Sequence, residues 1–256
     1  YLGYELKALP GGRDTHASDL PDALLYLPQT MLVFDHQCDK AWHCHLWGPR
    51  QPPPSVSARG TAPAPAFRPG AVDESALELA DSSTTYQQKV AACLQQITDG
   101  ESYEICLTNR ARMPCSETPL GVYQRMRAIS PVPYGAFLDT GEFAILSASP
   151  ERFLRIDGEG RILSRPIKGT RPRGSTPETD RRLREELAGS AKDRAENLMI
   201  VDLVRHDLNG VCVPGSVTVP EAFVIESYSS VHQLVSTVQG QLRADIGPFA
   251  AIKACF

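Results

Sequence analysis

The chain has 256 residues, of which 42% are hydrophobic and 22% charged, enough for a packed core in one large domain or two small ones. Its 26 Lys and Arg against 30 Asp and Glu leave a net charge of −4, which argues against a nucleic-acid binder. No apolar run reaches the roughly 20 residues of a membrane span, and no secretory signal pattern is read at the start. The seven cysteines, an odd number without a C-x-x-C pair, point to a reducing, cytoplasmic setting rather than a disulfide framework.

In chain order, Thr30–Asp35 (TMLVFD) and residues 41–47 (AWHCHLW) read as two strands joined by a polar turn at 36–40. Residues 48–71 hold seven of the 21 prolines and read as an extended connector. Order returns near Ser82. Thr84 and Gln87 stand at capping-box spacing, and Tyr86, Val90, Cys93, Leu94 and Ile97 share one helical face. Residues 102–113 alternate like a half-buried strand, and Thr118-Pro119 opens a short helix. Four strands follow at 134–138, 143–149, 152–156 and 161–164, close enough together to require antiparallel pairing. Residues 176–204 are helical, with Glu196, Met199, Ile200 and Leu203 on the face expected to be the more buried. Strands return at 211–219, 222–225 and 232–238, and Pro248 opens a last helix. Strands, then helices, then strands, without regular βαβ alternation, predict an α+β fold of antiparallel sheets flanked by helices.

Four segments within about 85 residues carry groups suited to chemistry. In SPERF, Glu151 ends an apolar strand, where it could face a cleft; taken alone it reads first as an exposed strand-end carboxylate. In RPIKGTRPRG, Lys168 lies between an apolar strand and an expected Gly-Thr turn. Partial desolvation there would lower its pKa and free the amine as a nucleophile or base; the alternative is a basic surface turn. In KDRAENLMIVDL, Glu196 on an apolar face needs a partner: Arg194, Arg205, another base or a hard cation such as Mg²⁺. In SSVHQLVST, His232 begins an apolar strand and stands between a catalyst and a hydrogen-bonded core histidine. A zinc site at His36, Cys38, His43, Cys44 and His45 is a weaker reading, because strand alternation parts Cys44 from His43 and His45.

The combination SPERF, PIKGTRPRG, KDRAENLMIVDLVRHDLN and VHQLVSTV resembles the chorismate-utilising enzymes: anthranilate synthase component I, isochorismate and salicylate synthases, and aminodeoxychorismate synthase component I. The similar region runs from about Asp81 to Phe256, and Tyr1 to Lys7 with the Thr30 to Trp47 hairpin looks like the end of the family's N-terminal part. The resemblance thus implies residues 1–47 as the end of an N-terminal subdomain, 48–75 as a connector and 76–256 as the first part of a chorismate-binding catalytic domain.

Lysine at 168, where anthranilate and isochorismate synthases typically carry alanine, looks like the aminodeoxychorismate synthase member. The resemblance implies that the Lys168 amine adds to ring carbon C2 as the 4-hydroxyl leaves. Ammonia then displaces the lysine and places an amino group at C4. It implies Glu151 as the general acid for the departing hydroxyl, Glu196 as a ligand of Mg²⁺ on the ring carboxylate, His232 near the departing hydroxyl, and Gly169 and Thr170 as substrate contacts. Ammonia would come from a glutamine amidotransferase, separate or fused. The product, 4-amino-4-deoxychorismate, would supply p-aminobenzoate for folate, or a p-aminophenylalanine-type antibiotic pathway.

By the same resemblance a glycine-rich G-G-S-x-T-G-x-P-K motif, a substrate arginine and a second Mg²⁺ glutamate would lie beyond Phe256. The expectation is that residues 1–256 alone turn over little or no chorismate. The alternatives are anthranilate or isochorismate synthesis, and a non-catalytic fragment in which Glu151, Lys168 and Glu196 form only ion pairs.

Overall fold

In a computed structural model the described residues are 19–46 and 74–255. The opening 1–7 segment, Trp47, nearly all of the expected connector and Phe256 lie outside them; of the connector, Glu74 and Ser75 open a single 3-10 turn, Glu74–Ala76. The chain divides into two compact units, Pro63–Ser149 and Tyr1–Ala62 with Pro150–Phe256.

The first of these holds two helices and two small sheets. Strand β3 (Glu78–Leu79) pairs with β4 (Ala111–Arg112), and the strand expected over 102–113 is reduced to those last two residues. Tyr103, Leu107 and their alternating neighbours have no ladder partner among the described residues, and Tyr103 is 62% exposed. Helix α1 (Ser83–Thr98) starts one step earlier than Thr84 suggests. Ser82 is its N-cap and accepts from the Thr85 N–H, so there is no Thr84–Gln87 box. Helix α2 (Pro119–Ile129) begins as expected, with Thr118 capping and Pro119 at the first position. Strands β5 (Tyr134–Asp139) and β6 (Ala144–Ser149) form an antiparallel hairpin, against which α2 packs.

The other unit contains the hairpin of β1 (Thr30–Asp35) and β2 (Lys40–His45) and a five-stranded antiparallel sheet. That sheet runs β10 (Thr218–Ser227), β11 (Val231–Gln241), β8 (Arg161–Arg165), β7 (Arg152–Ile156), with β9 (Ile167–Pro172) also on β11. The expected Gly-Thr turn is therefore a strand. The break that the glycine signals is a register shift: Thr170 pairs with Gln233 but Ile167 with Val235, and Gly169 takes φ +88° at the bulge.

Two helices lie against β9 and β11. They are α3 (Pro177–Gly189) and α4 (Ala191–Val211), split at Ser190, the C-cap of one and N-cap of the other. The buried face of α4 is Asp193, Asn197, Val201, Leu208 and Val211. The expected face of Glu196, Met199, Ile200 and Leu203 is rotated partly outward, because Asp193 and Asn197 find buried hydrogen bonds that admit them to the interior. Helix α4 also runs on through residue 211, so the strand expected from there begins only at Thr218. A core of Ile162, Val201, Leu208, Val211, Cys212, Val238, Leu242 and Ala251 closes α4 and the last helix, α5 (Pro248–Ala254), onto the sheet. No described helix is long and apolar enough to cross a membrane.

Candidate functional site

Strand β11 and helices α3 and α4 converge on β9. Glu151 lies just before β7, and its carboxylate accepts a hydrogen bond from the Ile167 N–H at 3.0 Å. The acid is thus tied to the residue next to Lys168, which is half-buried on the bulge. A Cβ on Gly169 would stand 2.9 Å from the Asp193 Cβ and 3.0 Å from the Leu187 Cδ1. Only a bare backbone lets the first turn of α4 approach this closely.

Arg171 faces the same way as Gly169. It donates to Glu186 at 2.8 Å and to Asp193 at 3.0 Å, fastening β9 to both helices. Ser190 and then Arg171 hold the Asp193 carboxyl below its usual range against the opposing effect of burial. Alternation from Arg171 turns Thr170 to the opposite face of the sheet, and the extra residue between Ile167 and Thr170 interrupts the alternation at Lys168.

His232 sits opposite Arg171 on the helix side and is 1% exposed. Its Nε2–H donates to Asp180 Oδ1 at 3.1 Å, since an ionised carboxylate only accepts. Its Nδ1 meets the Ser227 hydroxyl at 2.7 Å. Arg173 donates to both oxygens of Asp180, at 2.7 and 2.8 Å. Those bonds, the Gly174 N–H and His232 hold Asp180 far below the ordinary carboxylate range. Both ring nitrogens of His232 are engaged within the protein, on the face away from Thr170.

Glu196 is half-exposed, its side chain at 43%, and it pairs with Lys192 at 3.7 Å. Neither Arg194 nor Arg205 is its ion-pair partner. The Arg194 guanidinium lies 4.4 Å from the centre of the Phe223 ring, and Arg205 pairs with Asp202. Among the described residues no group of three His, Cys, Asp or Glu side chains is placed to hold a metal ion, and His45 Nδ1 lies 2.9 Å from the Thr30 hydroxyl. A single outward carboxylate such as Glu196 nonetheless suits Mg²⁺, which takes one or two carboxylates and completes its shell with substrate oxygens and water.

Sequence reasoning passed over Asn197 and Gln233. Asn197 Nδ2 donates to the Leu234 carbonyl at 3.3 Å and its oxygen accepts from the Ser236 hydroxyl, pinning α4 to β11. The polar i, i+4 pair Asp193 and Asn197 leading to Val201 was the available signal.

The sequence model of the chorismate binding enzymes matches residues 1–256. The chain belongs to that family. It is 46% identical over its whole length to an aminodeoxychorismate synthase of Streptomyces pristinaespiralis, of which it covers 38%. It is 37% identical over 91% of its length to anthranilate synthase component 1 of Thermus thermophilus, of which it covers 51%. The fold matches anthranilate synthase component I of Streptococcus pneumoniae at TM-score 0.75 and 25% identity, over 99% of this chain and 59% of that one. The expected α+β fold is this family's fold, and the chain spans 38% and 37% of the length of the two Streptomyces aminodeoxychorismate synthases it matches.

Proposed function

We propose that this chain is the part of an aminodeoxychorismate synthase that carries the lysine nucleophile and the general acid. It would act on chorismate with ammonia from a glutamine amidotransferase partner, in the cytoplasm. The observation that carries this reading is Lys168 on the β9 bulge, with the Glu151 carboxylate bonded to the neighbouring Ile167 N–H. The higher identity to the aminodeoxychorismate synthase than to the anthranilate synthase supports the same choice.

In this reading the Lys168 amine forms a bond to ring carbon C2. Both ring double bonds shift, the C4–O bond breaks, and Glu151 gives its proton to the oxygen, which leaves as water. Ammonia then bonds to C4, both double bonds shift back, and the C2–N bond breaks to release the lysine amine. Chorismate and ammonia become aminodeoxychorismate and water. The Gly169 and Thr170 backbone borders the ring. Glu196 is the residue that would hold Mg²⁺, whose charge offsets the ring carboxylate when bound. His232 acts indirectly, holding α3 and β11 in register through Asp180, and touches no reacting atom.

The test is Lys168→Ala in the intact protein, with chorismate, ammonium and Mg²⁺ and the products resolved by chromatography. Aminodeoxychorismate formation should fall by orders of magnitude, and Glu151→Gln should lower kcat by about 10²–10⁴-fold. Undiminished product from Lys168→Ala ends the assignment.

A further inference from the structure

Taking water from a polar atom without replacing its hydrogen bond is costly, so buried polar groups find partners. β11 obeys this along nearly all its buried length. His232 is held by Asp180 and Ser227. The Ser236 hydroxyl donates to Asn197 and accepts from the Phe223 N–H. Thr237 donates to Glu221 and accepts from Arg165. The exception is Gln233. Its Oε1 is the one buried side-chain nitrogen or oxygen among the described residues that has no partner, on a residue only 9% exposed.

The place of this atom is informative. Gln233 is directly opposite Thr170, two residues from Lys168 along β9. Its neighbour His232 points to the helices, where Asp180 holds it. Alternation therefore turns Gln233 to the other face, the one that its cross-strand partner Thr170 shares.

We infer that Gln233 contacts the ligand: its amide oxygen accepts a hydrogen bond from an O–H or N–H of the molecule bound beside Thr170, two residues along β9 from Lys168. This deepens the proposed function and rests on it. In that reaction two molecules bring such a donor, chorismate through its ring hydroxyl and ammonia through its N–H bonds. An amide is neutral throughout the working pH range and has no acidic proton to lend. Gln233 therefore orients the group that arrives or departs and leaves proton delivery to Glu151. The unfilled acceptor also selects: a ligand without a donor at this point leaves Oε1 stripped of water and unbonded, which is how a buried polar group rejects an isostere.

The experiment is steady-state kinetics of the intact protein with Mg²⁺, varying chorismate and ammonium separately, on wild type and Gln233→Met. Methionine keeps the length and volume of the side chain without the acceptor. The expected result is a KM raised about tenfold or more, with a thermal midpoint equal to or above that of wild type. A rise in the chorismate KM assigns the bond to the hydroxyl, and a rise in the ammonium KM assigns it to ammonia. Gln233→Asn, which keeps an amide but retracts it by one methylene, gives the same reading should the methionine variant misfold. Unchanged KM values for both substrates overturn the inference, as does a lowered midpoint with KM intact, the mark of a packing residue. A wild-type protein that makes no aminodeoxychorismate overturns the proposed function, and this inference with it.

Discussion

Gly169 shows how little room a single position leaves at this site. Its φ of +88° lies in the left-handed region, and its missing side chain is the space that Asp193 and Leu187 occupy. Gly169→Ala combines backbone strain with overpacking, and the sum is about 2–4 kcal/mol. Urea unfolding of this variant should show a lowered midpoint with an unchanged slope; an unchanged midpoint would mean that β9 and α4 separate without cost. The residues beside it divide by direction. Arg171 turns to the helices and spends its donors on Glu186 and Asp193, whereas Thr170 turns the other way. Direction also separates His232 from Gln233, and composition gave no hint of it. A histidine in an apolar strand draws the eye, yet His232 is the member of the pair whose polar atoms are all engaged within the protein.

At the scale of elements, α3 is clamped to β9 and β11 by Asp180, Arg173 and His232. Because the folded state holds Asp180 below its ordinary value, the clamp contributes stability at neutral pH. That contribution is lost as pH falls from about 4, where the unfolded carboxyl takes up its proton, toward the lower folded value. Urea midpoints measured from pH 7 to pH 3 should fall less steeply for Asp180→Asn than for wild type, with a lower starting value at pH 7. Identical acid limbs would remove Asp180 from the clamp. Where local chemistry decides an element, the sequence was legible: Thr118 with Pro119 announced α2, and the run Arg152–Ile156 is β7. Where partners decide, it was not. Tyr103, Ile105 and Leu107 alternate, but only Ala111–Arg112 finds a neighbouring strand. The KGT stretch reads as a turn because glycine breaks strands, yet β11 recruits it into the ladder with a bulge. Helix α4 was expected but ended seven residues too early, at 204 rather than 211, and was read one position out of phase, since carboxylate and amide groups on its true inner face look like solvent-facing residues until Arg171, Ser190 and Ser236 are seen to meet them.

At the scale of the whole molecule, all seven cysteines are free, and packing sorts them. Cys38, Cys44, Cys106 and Cys115 are exposed, while Cys212 lies in the core. Burial, with Asp207 and Cys212 adding to it, pushes the Cys255 thiol up to about 11. The thiolate is the reacting form. Maleimide at pH 7 should therefore label Cys44, Cys106 and Cys115 in the native protein, and Cys212 and Cys255 only after denaturation; peptide mass mapping reads the difference, and native labelling of Cys212 would contradict the core described above. The large sheet adds a consequence for biosynthesis. Its strands β8, β9 and β10 all bond to β11, and among the strands before β11 only β7 and β8 pair with each other. β11 is the last of the five to leave the ribosome, so a nascent chain that stops short of residue 231 holds one hairpin of this sheet and bare edges elsewhere. Assembly of the lysine-bearing strand waits on that late arrival, and over this interval the growing polypeptide is most exposed to wrong pairing and most in need of a chaperone.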